Sequence, residues 1–389
     1  MSAAVPTGAF ADSKHHYPVL DGLRGVAALA VVAFHLCEAH GPDRFRQLIN
    51  HGYLAVDFFF LLSGFVIAYA YDDRWGRMSI GGFFVRRLIR LHPMIVAGMV
   101  VGAVMFYFQA GTLFPMIADT PVWRVLLVML VGFTLLPLPP SMDLRGWGEM
   151  HPLDGPAWSL FFEYVANILY ALVLRRLPNR VLAVLALLAG AALCHYLVTG
   201  PQGDVIGGWS LTAPQLRLGF TRLAFPFCAG LLLARTVRPG RVRHGFPIAA
   251  ALLLAALALP RAGGPATLWL NGLYETACIV LVFPLVVWLG ASAHVADAGG
   301  RTGRLCAALG GLSYPLYIVH YPFIYTYTAW VVPRHLPLSA ALPVAALTFG
   351  GSVLLAWVLL KVYDEPVRAR LTRRLLGRRA APAAAAVRG

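Results

Sequence analysis

The chain is dominated by eleven long apolar segments separated by short polar connections. Hydrophobic residues make up 59% of the chain and charged residues 13%, whereas a soluble domain has about 25% charged residues. In lipid, all backbone polar groups must be hydrogen-bonded within the chain, so continuous apolar segments of this length fold as helices. The sequence therefore predicts an all-α polytopic membrane protein. The apolar segments are 20–37, 53–71, 93–110, 122–138, 157–174, 181–198, 220–234, 246–259, 272–290, 312–330 and 339–361.

The net charge of +15 comes mainly from arginines clustered between these segments. This distribution is typical of cytoplasmic loops, and it argues against a nucleic-acid partner. The arginine-rich connections are 72–92, 175–180, 235–244, 291–308 and the tail from residue 361. If these connections and both termini are cytoplasmic, the number of crossings is even. Since segment 122–138 is confined by Pro121 and Pro137, we expect about ten transmembrane helices plus one re-entrant or interfacial segment in the cell inner (plasma) membrane.

Three regions follow from this pattern. Residues 1–16 form a polar N-terminal segment, residues 17–365 a transmembrane domain, and residues 366–389 a basic cytoplasmic tail that we expect to be disordered at its end. Asp21 and Arg24 lie where a cleaved signal peptide would be apolar, so the first span is expected to remain. The five cysteines have no CxxC spacing, and no histidine cluster has metal-ligand spacing, so neither a disulfide framework nor a metal is expected.

Arg24 and His35 are ionisable residues inside the first apolar segment. Eleven residues amount to about three turns plus 20°, so both side chains project from one helix face, about 16 Å apart. A charge within a membrane span costs at least about 2.5–3.5 kcal/mol and by default indicates function. The alternative is that the two residues only mark the cytoplasmic and outer ends of the helix.

Four polar positions are expected near the outer side. Asp57 begins the second span at a depth similar to that of His35, and Trp158, Ser159 and Glu163 open a later span. Glu163 lies more than one turn inside that span and therefore needs a cation or a proton. Trp158 also fits a simple position in the interfacial aromatic belt.

Further candidates are an arginine pair and two residues of the tenth span. Arg87 and Arg90 share a helix face before the third span, although anchoring by positive charge alone would explain them equally well. Tyr317 and His320 lie near mid-depth, and His320 fits a hydrogen-bonded core histidine as well as it fits a site. A basic cytoplasmic mouth suits a phosphorylated donor, and a histidine with acidic neighbours suits removal of a proton from a hydroxyl.

Five motifs in order make the chain similar to the acyltransferase 3 family of integral membrane acyltransferases. They are DGLRGVAALAVVAFH with Arg24 and His35, VDFFFLLSGFVI with Asp57, RRLIRLHP with Arg87 and Arg90, WSLFFEY with Glu163, and LSYPLYIVHYP with His320. The resemblance extends from residue 17 to about 365. It implies transfer of an acyl group, often acetyl, from cytoplasmic acyl-CoA to a hydroxyl of a carbohydrate or glycosylated acceptor.

On this interpretation, His35 is the catalytic base, and Asp57 or Glu163 orients it. Arg24, Arg87 and Arg90 bind the donor, and the remaining substrate contacts come from Trp158, Ser159, Tyr317 and His320. Acyl-CoA is then a co-substrate, and no cofactor is permanently bound. A covalent acyl-histidine remains an alternative to general-base catalysis. Two other classes also remain open: a secondary transporter with ion-coupled flux, and a non-catalytic component of polysaccharide assembly that would tolerate loss of His35. No Walker, GxSxG or HExxH motif is present.

Overall fold

The computed structural model describes residues 16–41, 43, 45–238, 240, 242–293 and 300–377. Within these ranges the chain is helical, and β-pairing is limited to one isolated bridge between Val242 and Ala293. The predicted all-α class is therefore confirmed. The α-helices are α1 Pro18–Glu38, α2 Ala55–Tyr71, α3 Ile80–Met105, α4 Met116–Asp119, α5 Val122–Phe133, α6 Ala157–Leu172, α7 Asn179–Thr199, α8 Ala213–Thr236, α9 Gly245–Ala258, α10 Leu268–Ala277, α11 Phe283–Ala291, α12 Arg301–Val331, α13 Leu338–Leu359 and α14 Glu365–Leu375.

Two π-helical segments connect consecutive helices without a break. Cys278–Val282 joins α10 to α11, and Leu360–Asp364 joins α13 to α14. The helix therefore continues past the boundary predicted at residue 365 and ends at Leu375, within the predicted tail. Residues 378–389, where disorder was expected, lie outside the described residues.

The described helices support a multi-pass membrane protein but not a count of ten crossings. Seven helical stretches are long and apolar enough to span a membrane, and α5, α6 and α9 are shorter apolar helices. Helix α12 has 31 residues, but it is not among the seven. Its sequence contains several tyrosines, a histidine and two prolines, which lower its mean hydropathy although many of its side chains are buried.

Helix α5 corresponds to the segment that was predicted not to cross. Its 12 residues extend about 18 Å, which is shorter than the roughly 30 Å hydrocarbon core. It packs against α3 and leaves Trp123, Leu126 and Leu130 exposed. The shortness of α5 fits a segment that does not cross, and its re-entrant or interfacial position stays a prediction.

Glycines allow the central helices to approach closely. A Cβ at Gly25 of α1 would lie 2.5 Å from the Leu309 carbonyl oxygen of α12, and one at Gly64 of α2 would lie 2.3 Å from the Phe227 oxygen of α8. Small residues at such crossings let helix backbones pack against each other in membranes. The face of α1 that carries Arg24 therefore lies against α12, near the centre of the bundle.

The predicted orientation can be tested at glycines where an added side chain meets open space. In a variant without the native cysteines, Gly111→Cys and Gly264→Cys are expected to react with a membrane-impermeant maleimide in intact cells. Gly76→Cys should react only after lysis, since the arginine-rich connection before α3 is predicted to be cytoplasmic. Each of these three glycines has no neighbouring atom within 4 Å of the added Cβ. Labelling of residue 76 from outside would contradict the assignment.

Candidate active site

Three adjoining cavities follow the length of α1 through the bundle. We call the cavity beside the first turns of α1 the inner cavity, the one beside its last turns the outer cavity, and the one between them the central cavity. Their volumes are about 670 Å³, 590 Å³ and 140 Å³, respectively. Arg24 and Arg90 line both the inner and the central cavity, whereas Val56 and Tyr317 line both the central and the outer cavity. His35 lines the outer cavity. Of the two residues of the predicted stripe on α1, Arg24 therefore lies where the inner and central cavities meet, and His35 lies in the outer cavity.

Arg24 is held at the inner junction by α12. Its Nε donates to Ser313 Oγ at 2.7 Å and its Nη2 to the Gly310 carbonyl oxygen at 3.0 Å. Asp21, one turn earlier on α1, lies 3.2 Å from Nη2. These contacts hold the guanidinium where the inner and the central cavity meet, and binding of a donor by Arg24 stays a prediction.

Arg90 is a cation at the same junction that has no hydrogen bond or ion pair among the described residues. The positive charges of Arg24, Arg87 and Arg368 act on it, opposed by the negative charge of Asp364. A half-buried guanidinium among like charges is stabilised by an anion. The junction can therefore hold an anion.

Arg87 has a different neighbour from Arg90. Its Nη2 donates to Glu163 Oε1 at 2.6 Å, and Ser63 Oγ donates to the same oxygen at 2.9 Å. Both charged residues line the central cavity. The predicted pairing of Glu163 with His35 is therefore wrong, because the carboxylate neutralises Arg87 on the other side of Tyr317. Whether Arg87 also contacts a donor stays a prediction.

His35 is paired with a carboxylate that the sequence analysis missed. Its Nδ1 lies 2.9 Å from Glu38 Oε2, three residues later on the same helix. The His35 ring stacks against His320, with centroids 5.8 Å apart, and meets the edge of Tyr321 at 4.9 Å. The side chain of His35 is 17% exposed. The three-residue spacing, which brings side chains together on a helix, was the signal for Glu38.

Asp57 does not orient His35 either, because it forms a buried ion pair with Arg222 of α8. Arg222 Nη2 and Nε lie 2.7 Å and 3.3 Å from the two Asp57 oxygens. The other Arg222 hydrogens are donated to the carbonyl oxygens of Val205, Gly207 and Tyr53. All donors of this guanidinium are thus used within the chain. Asp57 and Arg222 brace α2, α8 and the 205–207 connection around the outer cavity.

Tyr317 and Ser159 form the partition between the central and the outer cavity. Their hydroxyl oxygens are 2.7 Å apart, and Ser159 Oγ also donates to the Pro156 carbonyl oxygen at 3.0 Å. Trp158 is 7% exposed and lies 5.2 Å from the Arg222 guanidinium, so in this structure it is a wall of the outer cavity. Tyr317, Ser159 and Trp158 therefore lie together at this partition, and their contacts with a substrate stay a prediction.

His320 lies behind His35 and lines none of the three cavities. It is fully buried, and its Nδ1 donates to the carbonyl oxygens of Leu316 and Tyr317 at 3.1 Å and 2.9 Å. Its Nε2 has no partner within the described residues. His320 thus adjoins the outer cavity through His35, and its predicted contact with a substrate stays a prediction.

The connection between α5 and α6 supplies a wall of the outer cavity that sequence reasoning missed. Trp147 and Glu149 line the cavity, together with Trp209. Tyr325 Oη donates to Glu149 Oε2 at 2.5 Å. Burial raises the pKa of the Glu149 carboxyl to about 7, against the opposing positive charge of Arg145. The cavity thus combines aromatic surfaces with a few polar groups, which is typical of sites for small organic ligands.

These helices and cavities define a multi-pass membrane protein with an internal polar site. Residues 17–361 match the sequence model described as "Acyltransferase domain". The chain belongs to this acyltransferase 3 family, as its motifs predicted. The protein is therefore a membrane acyltransferase.

Several curated proteins are similar to the chain. "Acyltransferase MdmB" of Streptomyces mycarofaciens is 28% identical over 330 residues, which is 79% of each chain. "Protein 2 in picA locus" of Rhizobium radiobacter is 36% identical over 39% of this chain and 80% of its own length. "Putative O-acetyltransferase SACOL0978" of Staphylococcus aureus (strain COL) is 40% identical, over 22% of this chain and 14% of its own. No solved structure matches significantly.

Proposed function

We propose that this membrane O-acyltransferase takes an acetyl or other short acyl group from cytoplasmic acyl-CoA. The acceptor is a hydroxyl of a carbohydrate or glycosylated molecule in the outer cavity. The observation that carries the proposal is the row of adjoining cavities, with Arg24 and Arg90 at the inner junction and His35 in the outer cavity. The printed name of the staphylococcal relative supports an O-linked product.

The spacing of Arg24 and His35 matches the length of the donor arm. Eleven residues of α1 extend about 16 Å. The pantetheine arm of coenzyme A has about 13 bonds between the β-phosphorus and the sulfur, and an extended chain advances about 1.2 Å per bond. A diphosphate bound beside Arg24 and Arg90 therefore allows a thioester to reach past Tyr317 to the vicinity of His35.

The pair of His35 and Glu38 supports general-base chemistry. With Nδ1–H donating to Glu38, the lone pair of His35 is on Nε2, which is the atom available to a substrate hydroxyl. The acceptor oxygen attacks the thioester carbonyl while Nε2 takes its proton. The carbon–sulfur bond then breaks, the ester forms, and the imidazolium returns the proton to the thiolate of coenzyme A. Atoms and charge balance without a covalent acyl-enzyme.

The outer cavity supports a glycosylated acceptor by its shape and lining. Trp147, Trp158 and Trp209 offer flat apolar surfaces, and Glu149 and Glu38 offer hydrogen-bond acceptors near His35. A sugar ring presents an apolar face together with hydroxyl donors, and both find partners in such a lining. The cavity is also large enough for a small ligand.

The proposal is tested in inside-out membrane vesicles that contain the protein, supplied with acetyl-CoA labelled in the acetyl group. We expect label in base-labile ester products and release of an equal amount of coenzyme A thiol. Vesicles with His35→Ala are the control and should show neither. Ion-coupled solute uptake without ester formation would instead identify a secondary transporter.

Arg90 should be needed for donor affinity through the geometry of its guanidinium. Arg90→Lys keeps the charge but removes the planar fork that binds phosphate oxygens. We expect about tenfold weaker coenzyme A binding, the equivalent of about 1.4 kcal/mol, measured by titration of the purified protein. Arg180→Lys, at an exposed arginine away from the three cavities, is the matched control. Equal affinity in all three proteins would leave Arg90 only a topological role.

A further inference from the structure

The inner cavity is lined by more arginines than the two at its junction with the central cavity. Beyond Arg24 and Arg90, its lining includes Arg74, Arg86 and Arg368. Three carboxylates also line it, and each already contacts a cation of the chain. The carboxylates are Asp21 beside Arg24, Asp364 beside Arg368 and Glu365 beside Lys361. Arg74 and Arg86 have partners within the chain, whereas Arg90 has none among the described residues and Arg368 donates one hydrogen bond, to Asp364. Arg90 and Arg368 therefore make the cavity a site for an anion with more than one charged group.

Arg368 is an arginine of the inner cavity that lies outside the junction with the central cavity. It lies on α14, which packs against α3 and so turns Arg368 toward the charge of Arg90. Arg368 Nη1 donates to Asp364 Oδ2 at 3.0 Å, and the side chain is 29% exposed. The Asp364 side chain is buried, so Asp364 holds one edge of the guanidinium while the rest can meet a ligand.

The position of Arg368 in the chain makes the site additional to the family motifs. The match to the family model ends at residue 361, before α14 begins. The helix continues from α13 through Leu360–Asp364 into α14, and side chains of this stretch line the inner cavity. A segment outside the matched region therefore completes the cavity wall.

Two anion positions at different depths suit a nucleotide donor. Coenzyme A has a diphosphate at the base of its arm and a separate phosphate on the ribose. The junction arginines line both the inner and the central cavity, whereas Arg368, on α14, lines only the inner cavity. A volume of about 670 Å³ falls in the range of pockets that hold ligands of this size. We propose that Arg368 binds the ribose 3′-phosphate of the acyl-CoA donor, an inference that rests on the proposed function.

The test compares coenzyme A with dephospho-coenzyme A, which lacks only the 3′-phosphate, in titrations of the purified full-length protein. Wild type should bind coenzyme A about tenfold more tightly, since a charge-assisted contact to phosphate is lost in the analogue. Arg368→Gln should weaken coenzyme A binding about tenfold and leave dephospho-coenzyme A binding unchanged. Arg370→Gln, at an exposed arginine of the same helix that does not line the cavity, should change neither.

The other outcomes each overturn a defined statement. If wild type binds the two ligands equally, no 3′-phosphate site exists. If Arg368→Gln weakens both ligands equally, the residue supports the fold or the diphosphate and the proposal is wrong. Arg368→Lys separates charge from loss of structure and should retain part of the preference for coenzyme A. If wild type binds neither ligand, the proposed acyl-CoA function fails together with this inference.

Discussion

His35→Ala is expected to abolish acyl transfer while the protein still inserts and folds. A positioned general base contributes about 10²- to 10⁴-fold to a rate, and His35 is the titratable side chain of α1 that faces both the outer cavity and Glu38. The rate of ester formation from labelled acetyl-CoA measures the effect. Coenzyme A affinity should stay near the wild-type value, because Arg24 lies about 16 Å away along α1.

His195→Ala is the matched control, since His195 is an exposed histidine of α7 away from the cavities. It should retain wild-type activity. Glu38→Gln should slow transfer by a smaller factor than His35→Ala, because the amide still contacts His35 but no longer stabilises the imidazolium. Normal product formation by a well-folded His35→Ala protein would contradict the assignment of the base and favour a non-catalytic role.

Asp57→Asn is expected to reduce the amount of folded protein rather than only the catalytic rate. The substitution leaves Arg222, which is almost fully buried, without its counter-charge. Removing one partner of a buried ion pair costs about 3–5 kcal/mol. Thermal unfolding of the detergent-solubilised protein should show a clear loss of stability, and the outer cavity should lose the brace that holds the 205–207 connection.

The double variant Asp57→Asn with Arg222→Met distinguishes this structural role from a catalytic one. The double variant leaves no uncompensated charge. Its loss of unfolding free energy should therefore be smaller than the sum of the losses in the two single variants. If Asp57 instead acted directly on His35, Asp57→Asn would fold normally and lose transfer, and the double variant would recover nothing. Normal stability of Asp57→Asn would therefore contradict the brace.

The membrane class and the stripe on α1 were predictable because each depends on local pattern. Continuous apolar segments must form helices in lipid, and helical periodicity places Arg24 and His35 on one face whatever surrounds them. The number of crossings was less predictable, since α5, α6 and α9 are short and α12 is less apolar than its length suggests. Because α12 is packed among other helices, it can contain polar residues that lower its mean hydropathy.

The sequence by itself determined that ionisable residues inside the spans need partners, because an unpaired charge in a membrane is costly. It determined the all-helical class, the family and the separation of Arg24 from His35. Which charge pairs with which was decided only by tertiary structure. Asp57 and Arg222 are 165 positions apart, and the close crossing of α2 and α8 at Gly64 brings them together. Which acidic residue pairs with which basic residue depends on how the helices pack. Residue spacing within one helix does not predict that packing.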